Sequence, residues 1–197
     1  MRRSSLIISI LGLMILLPIE LVDAVYSNTV YNDDSWADDH GSGTWGDENY
    51  NAATDQYELK AWNFWGLDGY AWYDWDTQKE PYGDGGLTAE EIGTATLKIK
   101  WEFDGELKTA GNGHLKFTYT MTGPGSPTLS SGGIIDYTED QSWTDQVIYH
   151  TFTTSTLYDG ATYYVQCHIY LLNDTGAASD LMSGGDGLKL IWVRLYR

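Results

Sequence analysis

The residues best suited to chemistry include a cluster of carboxylates in the segment Asn32–Asn51. This segment has no apolar periodicity and is rich in Asp, Gly and Asn, so it is predicted to be a loop. Calcium takes roughly six to eight oxygen ligands, and a carboxylate-rich loop with glycine hinges can fold around it. A calcium site and a solvated acidic loop are therefore the two open interpretations. The candidate ligands are Asp33, Asp34, Asp38, Asp39, Asp47 and Glu48.

A second group of residues is aromatic and suits a binding surface. Tyr57–Trp65 and Tyr70–Thr77 are predicted to form a hairpin around Gly66–Gly69. Because side chains alternate along a strand, burying one side of Tyr70–Thr77 exposes the aromatic residues on the other. Such rings stack on sugars or bury against another subunit, and the competing interpretation is that they fill the core. The candidates are Trp62, Trp65, Tyr70, Trp72, Tyr73 and Trp75.

Catalytic motifs are missing from the sequence. The four His residues are scattered without metal-binding spacing, and no G-x-S-x-G motif occurs. The composition is similar to that of jelly-roll glycoside hydrolases such as the small xylanases, which need two carboxyl groups facing each other across a cleft. Their catalytic Glu motifs are absent, and Glu58 alone is a candidate for an inward strand position. The sequence predicts that the protein is not an enzyme, with a jelly-roll hydrolase as the less favoured alternative.

The clearest structural element is the strand that begins at Tyr163. Its residues alternate strictly between an apolar side and a polar-aromatic side, which is typical of a half-buried strand. Asp159-Gly160 directly before it indicates a turn. The inward residues are Tyr163, Val165, Cys167, Ile169 and Leu171, and the outward residues are Tyr164, Gln166, His168 and Tyr170.

The spacing of Leu157, Gly160 and Tyr163 resembles the L-x-x-G-x-x-Y corner of fibronectin type III and related immunoglobulin-like sandwiches. Asp159 stands where the fibronectin pattern usually has Pro. The resemblance implies that the Tyr163 hydroxyl returns to the backbone a few residues upstream. It covers only the corner and implies no function.

The rest of the chain shows further strand patterns. Ala95–Phe103 and Leu115–Met121 alternate regularly, and Gly111–Gly113 between them predicts a hairpin turn. Thr88–Ile92 is predicted to form one helical turn, and Asn173–Gly187 a long loop in which the sequon at Asn173 is a weak glycosylation candidate. We therefore predict an all-β, antiparallel β-sandwich, immunoglobulin-like or jelly-roll, with seven to nine strands.

The N-terminus has the pattern of a secretory signal peptide. Arg2 and Arg3 precede the apolar run Leu6–Ile19, and small residues lead to a predicted cleavage after Ala24. An uncleaved anchor is the alternative. Residues 25–197 are predicted to be one sandwich domain, with an acidic, aromatic-rich part (25–92) and a regular, Greek-key-like part (93–197). The only cysteine is Cys167, which excludes an internal disulfide.

Charge restricts the classes of partner. The chain has 28 Asp and Glu against 11 Lys and Arg, a formal net charge of −17. Nucleic acid and anionic lipid surfaces repel such a chain, so both are unfavoured as partners. A secreted or cell-surface location fits the signal peptide.

These features predict a non-catalytic surface protein that is a structural or adhesive subunit. It would self-associate or bind a partner through a strand edge or an aromatic face, and Val25–Val30 is a candidate for a donated strand. The alternative is a carbohydrate-binding module that uses exposed Trp and Tyr. The predicted partners are other copies of the chain or a surface glycan.

Overall fold

A computed structural model describes residues 24–31, 37–51, 56–62, 69–77, 86–107, 113–173, 178–181 and 187–197. These residues form thirteen strands and one short 3-10 helix at Ser130–Gly133. The strands are β1 (Val30–Tyr31), β2 (Ala37–Ser42), β3 (Gly46–Asn51), β4 (Gln56–Trp62), β5 (Gly69–Asp76), β6 (Leu87–Thr88), β7 (Thr96–Leu107), β8 (His114–Thr122), β9 (Ile134–Tyr137), β10 (Gln141–Thr153), β11 (Thr162–Asn173), β12 (Ala178–Leu181) and β13 (Leu188–Tyr196).

The strands make two antiparallel sheets that pack face to face. The seven-stranded sheet has the order β10-β7-β13-β4-β12, with β1 added to β13 and β3 added to β4. The six-stranded sheet has the order β2-β5-β11-β8-β9, with β6 added to β11. The predicted all-β antiparallel sandwich is confirmed. The structure has more strands than expected. Two-residue strands such as β1 and β6 leave no periodic signal, and β2, β3 and β12 lie in segments that were predicted to be loops.

Alternation along the long strands supplies the core between the sheets. The inward residues of the three strands predicted to begin at Ala95, Leu115 and Tyr163 are all buried. They include Leu97, Ile99 and Trp101 on β7 and Val165 and Ile169 on β11. Two adjacent sheets with apolar inner faces exclude water from this layer, and that burial is the main stabilising term.

A chain of polar groups crosses the core and connects the sheets. Trp101 Nε1 on β7 donates to the Tyr119 hydroxyl on β8 at 2.8 Å. The ring of His150 on β10 lies between two hydroxyls, 2.5 Å from that of Tyr119 and 2.9 Å from that of Tyr137 on β9. Burial lowers the pKa of His150 to about 3 and raises the pKa of Tyr137 to about 12. His150 is therefore a neutral structural residue at ordinary pH.

The predicted corner is present. The Tyr158 backbone N–H donates to the Tyr163 hydroxyl at 2.7 Å, which closes the turn that leads into β11. Gly160 has φ +66°, a left-handed conformation that glycine adopts without steric cost. The corner hydrogen bond fixes the start of β11, the central strand of the six-stranded sheet.

Both predicted hairpins are wrong. β4 belongs to the seven-stranded sheet and β5 to the six-stranded sheet, so the described residues of Tyr57–Trp65 do not pair with Tyr70–Thr77. In the same way β7 and β8, on either side of Gly111–Gly113, lie in opposite sheets. Glycine-rich turns suit an arch between two sheets as well as a hairpin within one, so the turn signal does not identify the partner strand.

Other local predictions also need correction. The Asn32–Asn51 segment contains β2 and β3 instead of a continuous loop, and the Asn173–Gly187 segment contains β12. Thr88–Ile92 contains the end of β6 and no helical turn. These segments have few strand-favouring residues, and pairing with neighbouring strands determines their structure.

The Val25–Val30 segment pairs with its own chain. Val25 bridges Tyr196, and Val30 lies opposite Val193 on β13. Both ends of the segment thus pair with β13 of the same chain, which argues against its use as a strand donated to a neighbour. The predicted signal peptide lies outside the described residues, apart from Ala24. Within the described part of the chain, no helix has the length and apolar character needed to cross a membrane.

Candidate functional site

Four aromatic side chains line the outer face of the six-stranded sheet. They come from outward positions of β5 and β11, and we call them the aromatic strip: Tyr70, Trp72, His168 and Tyr170. Ring centroids lie 5.7 Å apart for Trp72 and His168, 6.0 Å for His168 and Tyr170, and 6.0 Å for Tyr70 and Tyr170. The planes of these pairs differ by 35° or less. The four rings therefore form one continuous series along the outer face.

Two glycines next to β5 make room for this strip. An added Cβ at Gly41 would lie 2.9 Å from Trp72 Nε1, and one at Gly43 would lie 2.6 Å from Tyr70 Cε1. Each ring thus occupies the space that a side chain on the neighbouring backbone would fill. The strip therefore needs glycine at these two positions, and no local sequence pattern predicts that role.

A polar pocket adjoins the strip on the outer face of β5, β8 and β11. It has a volume of about 240 Å³ and is lined by outward side chains of β5, β8 and β11, namely Asp74, Asp76, Thr118, Thr120, Gln166 and His168. His168 belongs to both features, because its ring continues the strip while its Nδ1 faces the pocket carboxylate. The aromatic and polar groups are therefore parts of one surface.

Hydrogen bonds fix the orientation of the pocket side chains. His168 Nδ1 donates to Asp74 Oδ1 at 2.5 Å, and Gln166 Nε2 donates to Asp76 Oδ2 at 2.7 Å. Thr120 Oγ1 donates to Gln166 Oε1 at 3.2 Å. Asp76 is only 4% exposed although it is on the outward side of β5, whereas Asp74 and His168 are open to solvent. The pocket therefore presents preoriented acceptors and donors.

This arrangement favours binding over hydrolysis. Asp74 and Asp76 are two residues apart on one strand and project side by side, whereas glycoside hydrolysis needs two carboxyl groups on opposite sides of the scissile bond. Glu58 does not face the core as expected. It is half-buried on the outer side of β4, where the side-chain amides of Asn49 and Asn51 donate to it at 3.0 and 3.3 Å.

The predicted aromatic set divides into two groups. Tyr73 and Trp75 are buried in the core, whereas Tyr70 and Trp72 lie on the outer strip, so the predicted alternation of this strand is confirmed. Trp62 is 36% exposed but lies on β4 of the other sheet, and Trp65 lies outside the described residues. His168 and Tyr170 complete the strip. The sequence identified their outward orientation but not their position beside β5.

The predicted calcium ligands do not form one described cluster. Asp47 and Glu48 are consecutive on β3, so their side chains project to opposite sides. Asp38 and Asp39 lie on β2, and only their backbone is described. Asp33 and Asp34 lie outside the described residues. Among described side chains, no group of three or more His, Cys, Asp or Glu is placed to hold a metal. Calcium binding stays a prediction.

The predicted glycosylation site lies at the boundary of the described structure. Asn173 is the last residue of β11 instead of a loop residue, and it lies opposite Gly69 of β5. The remainder of its sequon lies outside the described residues. Glycosylation at Asn173 also stays a prediction.

Comparisons with known proteins give only distant similarities. No family model matches the chain, and no curated protein matches it. Among solved structures, it is similar to a carbohydrate binding module of Cellvibrio mixtus lichenase 5A in complex with cellotriose. That match has 15% identity, a TM-score of 0.34, and coverage of 87% of this chain and 98% of the module.

Two further solved structures show the same level of similarity. The apo module BiXyn10A CBM1 has 13% identity, a TM-score of 0.36, and coverage of 89% of this chain and 99% of the module. The C-terminal CBM6 of the laminarinase LamC from Zobellia galactanivorans has 11% identity, a TM-score of 0.30, and coverage of 86% and 100%. At these values, the assignment of a β-sandwich rests on the strand topology itself.

Proposed function

We propose that this protein is an exported, non-catalytic carbohydrate-binding protein that holds a neutral glycan on the outer face of the six-stranded sheet. The observation that carries the proposal is the continuity between the aromatic strip and the polar pocket. Sugar rings have an apolar C–H face and a rim of hydroxyl groups, so a protein site for them combines aromatic rings with fixed hydrogen-bonding groups. Both components lie side by side on β5 and β11.

The roles of individual residues follow from this geometry. Tyr70 is 38% exposed, and together with Trp72 and Tyr170 it offers ring surface to the sugar. Asp74 accepts hydrogen bonds from hydroxyls, and His168 holds that carboxylate in place. Thr118 and Gln166 extend the same polar rim.

Charge favours a neutral glycan at this face. Asp74, Asp76 and Asp136 lie at outward positions of β5 and β9, while Lys116 on β8 is a nearby cation. Carboxylates accept hydrogen bonds from hydroxyls but repel another anion at short range. A neutral polysaccharide or oligosaccharide therefore fits better than an acidic one.

Export is the second part of the proposal. The N-terminal pattern is that of a signal peptide, and a secreted or cell-surface glycan-binding domain over residues 25–197 is consistent with it. Cleavage after Ala24 would be detected by N-terminal sequencing of the protein recovered from the medium or cell surface.

A glycan array followed by calorimetric titration tests the binding. We expect the purified protein to bind one or more neutral glycans, and Trp72→Ala to weaken binding about fivefold, because one stacking ring contributes about 1 kcal/mol. Trp62→Ala is the matched control, since it removes an exposed Trp from the other sheet. Equal losses for both variants, or no neutral glycan bound by the wild type, would contradict the proposal.

A further inference from the structure

A second row of aromatic residues lies on the opposite side of the molecule, on the outer face of the seven-stranded sheet. Tyr149 on β10 is 53% exposed, and Trp192 and Tyr196 on β13 are half-buried. The ring centroids of Tyr149 and Trp192 are 6.0 Å apart, and those of Trp192 and Tyr196 are 6.2 Å apart. These three rings cross the face from one strand to another.

Cationic side chains lie among these rings. Lys98 and Lys100 occupy outward positions of β7, between the buried residues Leu97, Ile99 and Trp101. Arg194 and Lys189 occupy outward positions of β13. Within the described part of the chain, these are four of the seven Lys and Arg residues. We call this surface the basic-aromatic face: Lys98, Lys100, Tyr149, Lys189, Trp192, Arg194 and Tyr196.

Strand register places the cations and rings in ordered rows. Lys100 lies opposite Tyr149 on one side and Trp192 on the other. Lys98 lies directly opposite Arg194, although like charges facing each other across a strand pair are unfavourable. The Arg194 guanidinium lies 4.7 Å from the Trp192 ring centre, and the Lys98 ammonium lies 4.6 Å from that of Tyr196. The rings partly offset this repulsion through cation–π attraction.

A β-bulge in β13 helps to create the face. The register with β7 shifts between Leu190 and Trp192, so that Leu190 faces the buried Trp101 while Trp192 faces outward beside Lys100. Bulges redirect side chains in this way. Without the extra residue, the alternation that buries Leu190 and Val193 on the same side could not be satisfied.

We propose that the basic-aromatic face is a second glycan site, and that it binds a carboxylated, uronate-containing glycan. The paired cations Lys98 and Arg194, with Lys100 beside them, suit carboxylates through charge-assisted hydrogen bonds. The rings of Tyr149, Trp192 and Tyr196 suit the C–H faces of the sugar residues. This site is separate from the neutral-glycan site and does not depend on it, because it lies on the other sheet.

Two other anionic partners fit this face less well. A second copy of the chain carries the full net charge of −17, which opposes close approach. A nucleic acid has a dense row of phosphates that the same net charge repels. A short uronate segment brings fewer charges to the face.

Calorimetric titration with tetramers of galacturonate, mannuronate and guluronate tests the proposal. Each is compared with its carboxyl-reduced, neutral counterpart. We expect at least one uronate tetramer to bind, and its reduced form to bind at least about tenfold more weakly, as expected for loss of a charge-assisted hydrogen bond. Binding should also weaken as salt concentration rises. Absence of binding by every uronate, or equal binding of a uronate and its reduced form, would overturn the proposal.

Variants then locate the binding. Lys100→Met retains most of the aliphatic stem and should weaken uronate binding at least about tenfold, whereas Lys116→Met on the opposite sheet should not. Tyr149→Ala removes an exposed ring with little expected effect on folding and should also weaken binding. Melting curves of each variant verify folding. An equal loss in Lys116→Met would overturn the assignment of the site.

The same variants test the two competing partners. Sedimentation velocity of the wild type should show no oligomer that Lys100→Met or Tyr149→Ala dissociates. A short oligothymidylate should bind more weakly than the best uronate. An oligomer lost in these variants would show that the face is an interface between copies, and equal or tighter binding of the oligothymidylate would show a nucleic-acid site. Either result would overturn the proposal.

Discussion

The outer faces of the two sheets both carry a row of aromatic side chains, but the polar groups between the rings differ. On the six-stranded sheet, Trp72 and Tyr170 adjoin carboxylates that are held by His168 and Gln166. On the seven-stranded sheet, the rings alternate with Lys and Arg, and two cations lie over ring faces. One face offers hydrogen-bond acceptors in a recess, and the other offers four half-buried Lys and Arg side chains, with the carboxylate Glu102 opposite Lys189.

This difference shows that net charge describes the whole chain but not each of its surfaces. A formal charge of −17 excludes polyanions as general partners, yet one sheet face gathers most of the cations in the described residues. Side chains alternate along a strand, so every second residue points into the core and the residues between them point outward. The charge of an outer face can therefore differ from the net charge of the chain without changing the core. The two faces can therefore evolve separately over one core.

The outer rings of the aromatic strip should contribute far less to stability than the core rings beneath them. Trp75 is 1% exposed and packs against Trp101 and Tyr119, with ring centroids 6.2 Å apart in both cases. Trp75→Ala should lower the free energy of unfolding by about 3–5 kcal/mol, as large core truncations do. Trp72→Ala, on the other side of the same strand, should lower it by less than about 1 kcal/mol. Denaturant unfolding measures both, and similar losses would mean that the outer strip is structural.

Acid should weaken the core beneath both faces. Burial lowers the pKa of His150 to about 3, below the usual value near 6.5, so the unfolded chain binds this proton first as pH falls. The contribution of neutral His150 is complete above about pH 6.5 and declines by up to about 1.4 kcal/mol per pH unit down to about pH 3. Unfolding measured at pH 7 and pH 5 should therefore differ by about 2 kcal/mol more in the wild type than in His150→Gln. Equal pH slopes for the two proteins would contradict this role.

The tyrosine corner fixes the start of β11 in the six-stranded sheet, which carries the aromatic strip and the polar pocket. Tyr163→Phe leaves the Tyr158 N–H without its hydrogen-bond acceptor, so it should cost about 1–3 kcal/mol of stability. Tyr158→Phe is a matched control, because the Tyr158 side chain is 47% exposed and its change should stay within about 0.5 kcal/mol. Thermal melts compare the three proteins, and coincident midpoints for wild type and Tyr163→Phe would show that the corner hydrogen bond is not stabilising.

A single methyl group beside the aromatic strip should affect one sheet face and not the other. Gly41→Ala places a methyl group 2.9 Å from Trp72 Nε1, so the indole ring has to shift. We expect neutral-glycan binding to weaken by about threefold, a loss below 1 kcal/mol, because the ring moves but is not removed. Uronate binding at the other sheet should not change. Calorimetric titration with both ligands provides the readout, and a parallel loss of both affinities would show that the faces are coupled.

The sequence predicted the faces of strands better than their partners. Alternation identified the buried sides of β7, β8 and β11, and the corner motif located the Tyr163 hydrogen bond. It did not reveal that β4 and β5 lie in opposite sheets, because face and turn signals are local whereas strand pairing is not. The pairing of β2 with β5 was missed because its Asp, Gly and Ser residues have low strand propensity.

The candidate site was predictable in part for the same reason. Tyr70 and Trp72 were identified as one side of an aromatic strand, and His168 and Tyr170 as the outer side of another. His168 and Asp74 are in contact although they lie 94 residues apart in the sequence, and no local pattern predicts that contact. The basic-aromatic face depends on the alignment of β10, β7 and β13 and on a bulge, so it appears only in three dimensions.

The indole N–H signals of the protein report directly on binding of a neutral glycan by the outer face of the six-stranded sheet. An isotope-labelled sample with assigned indole signals from its nine Trp residues would be titrated with the best neutral glycan from the array. We predict that the Trp72 signal shifts with the titration while the signals of Trp62 and Trp192 stay in place. A stationary Trp72 signal during saturable binding would show that the neutral glycan does not bind at the aromatic strip.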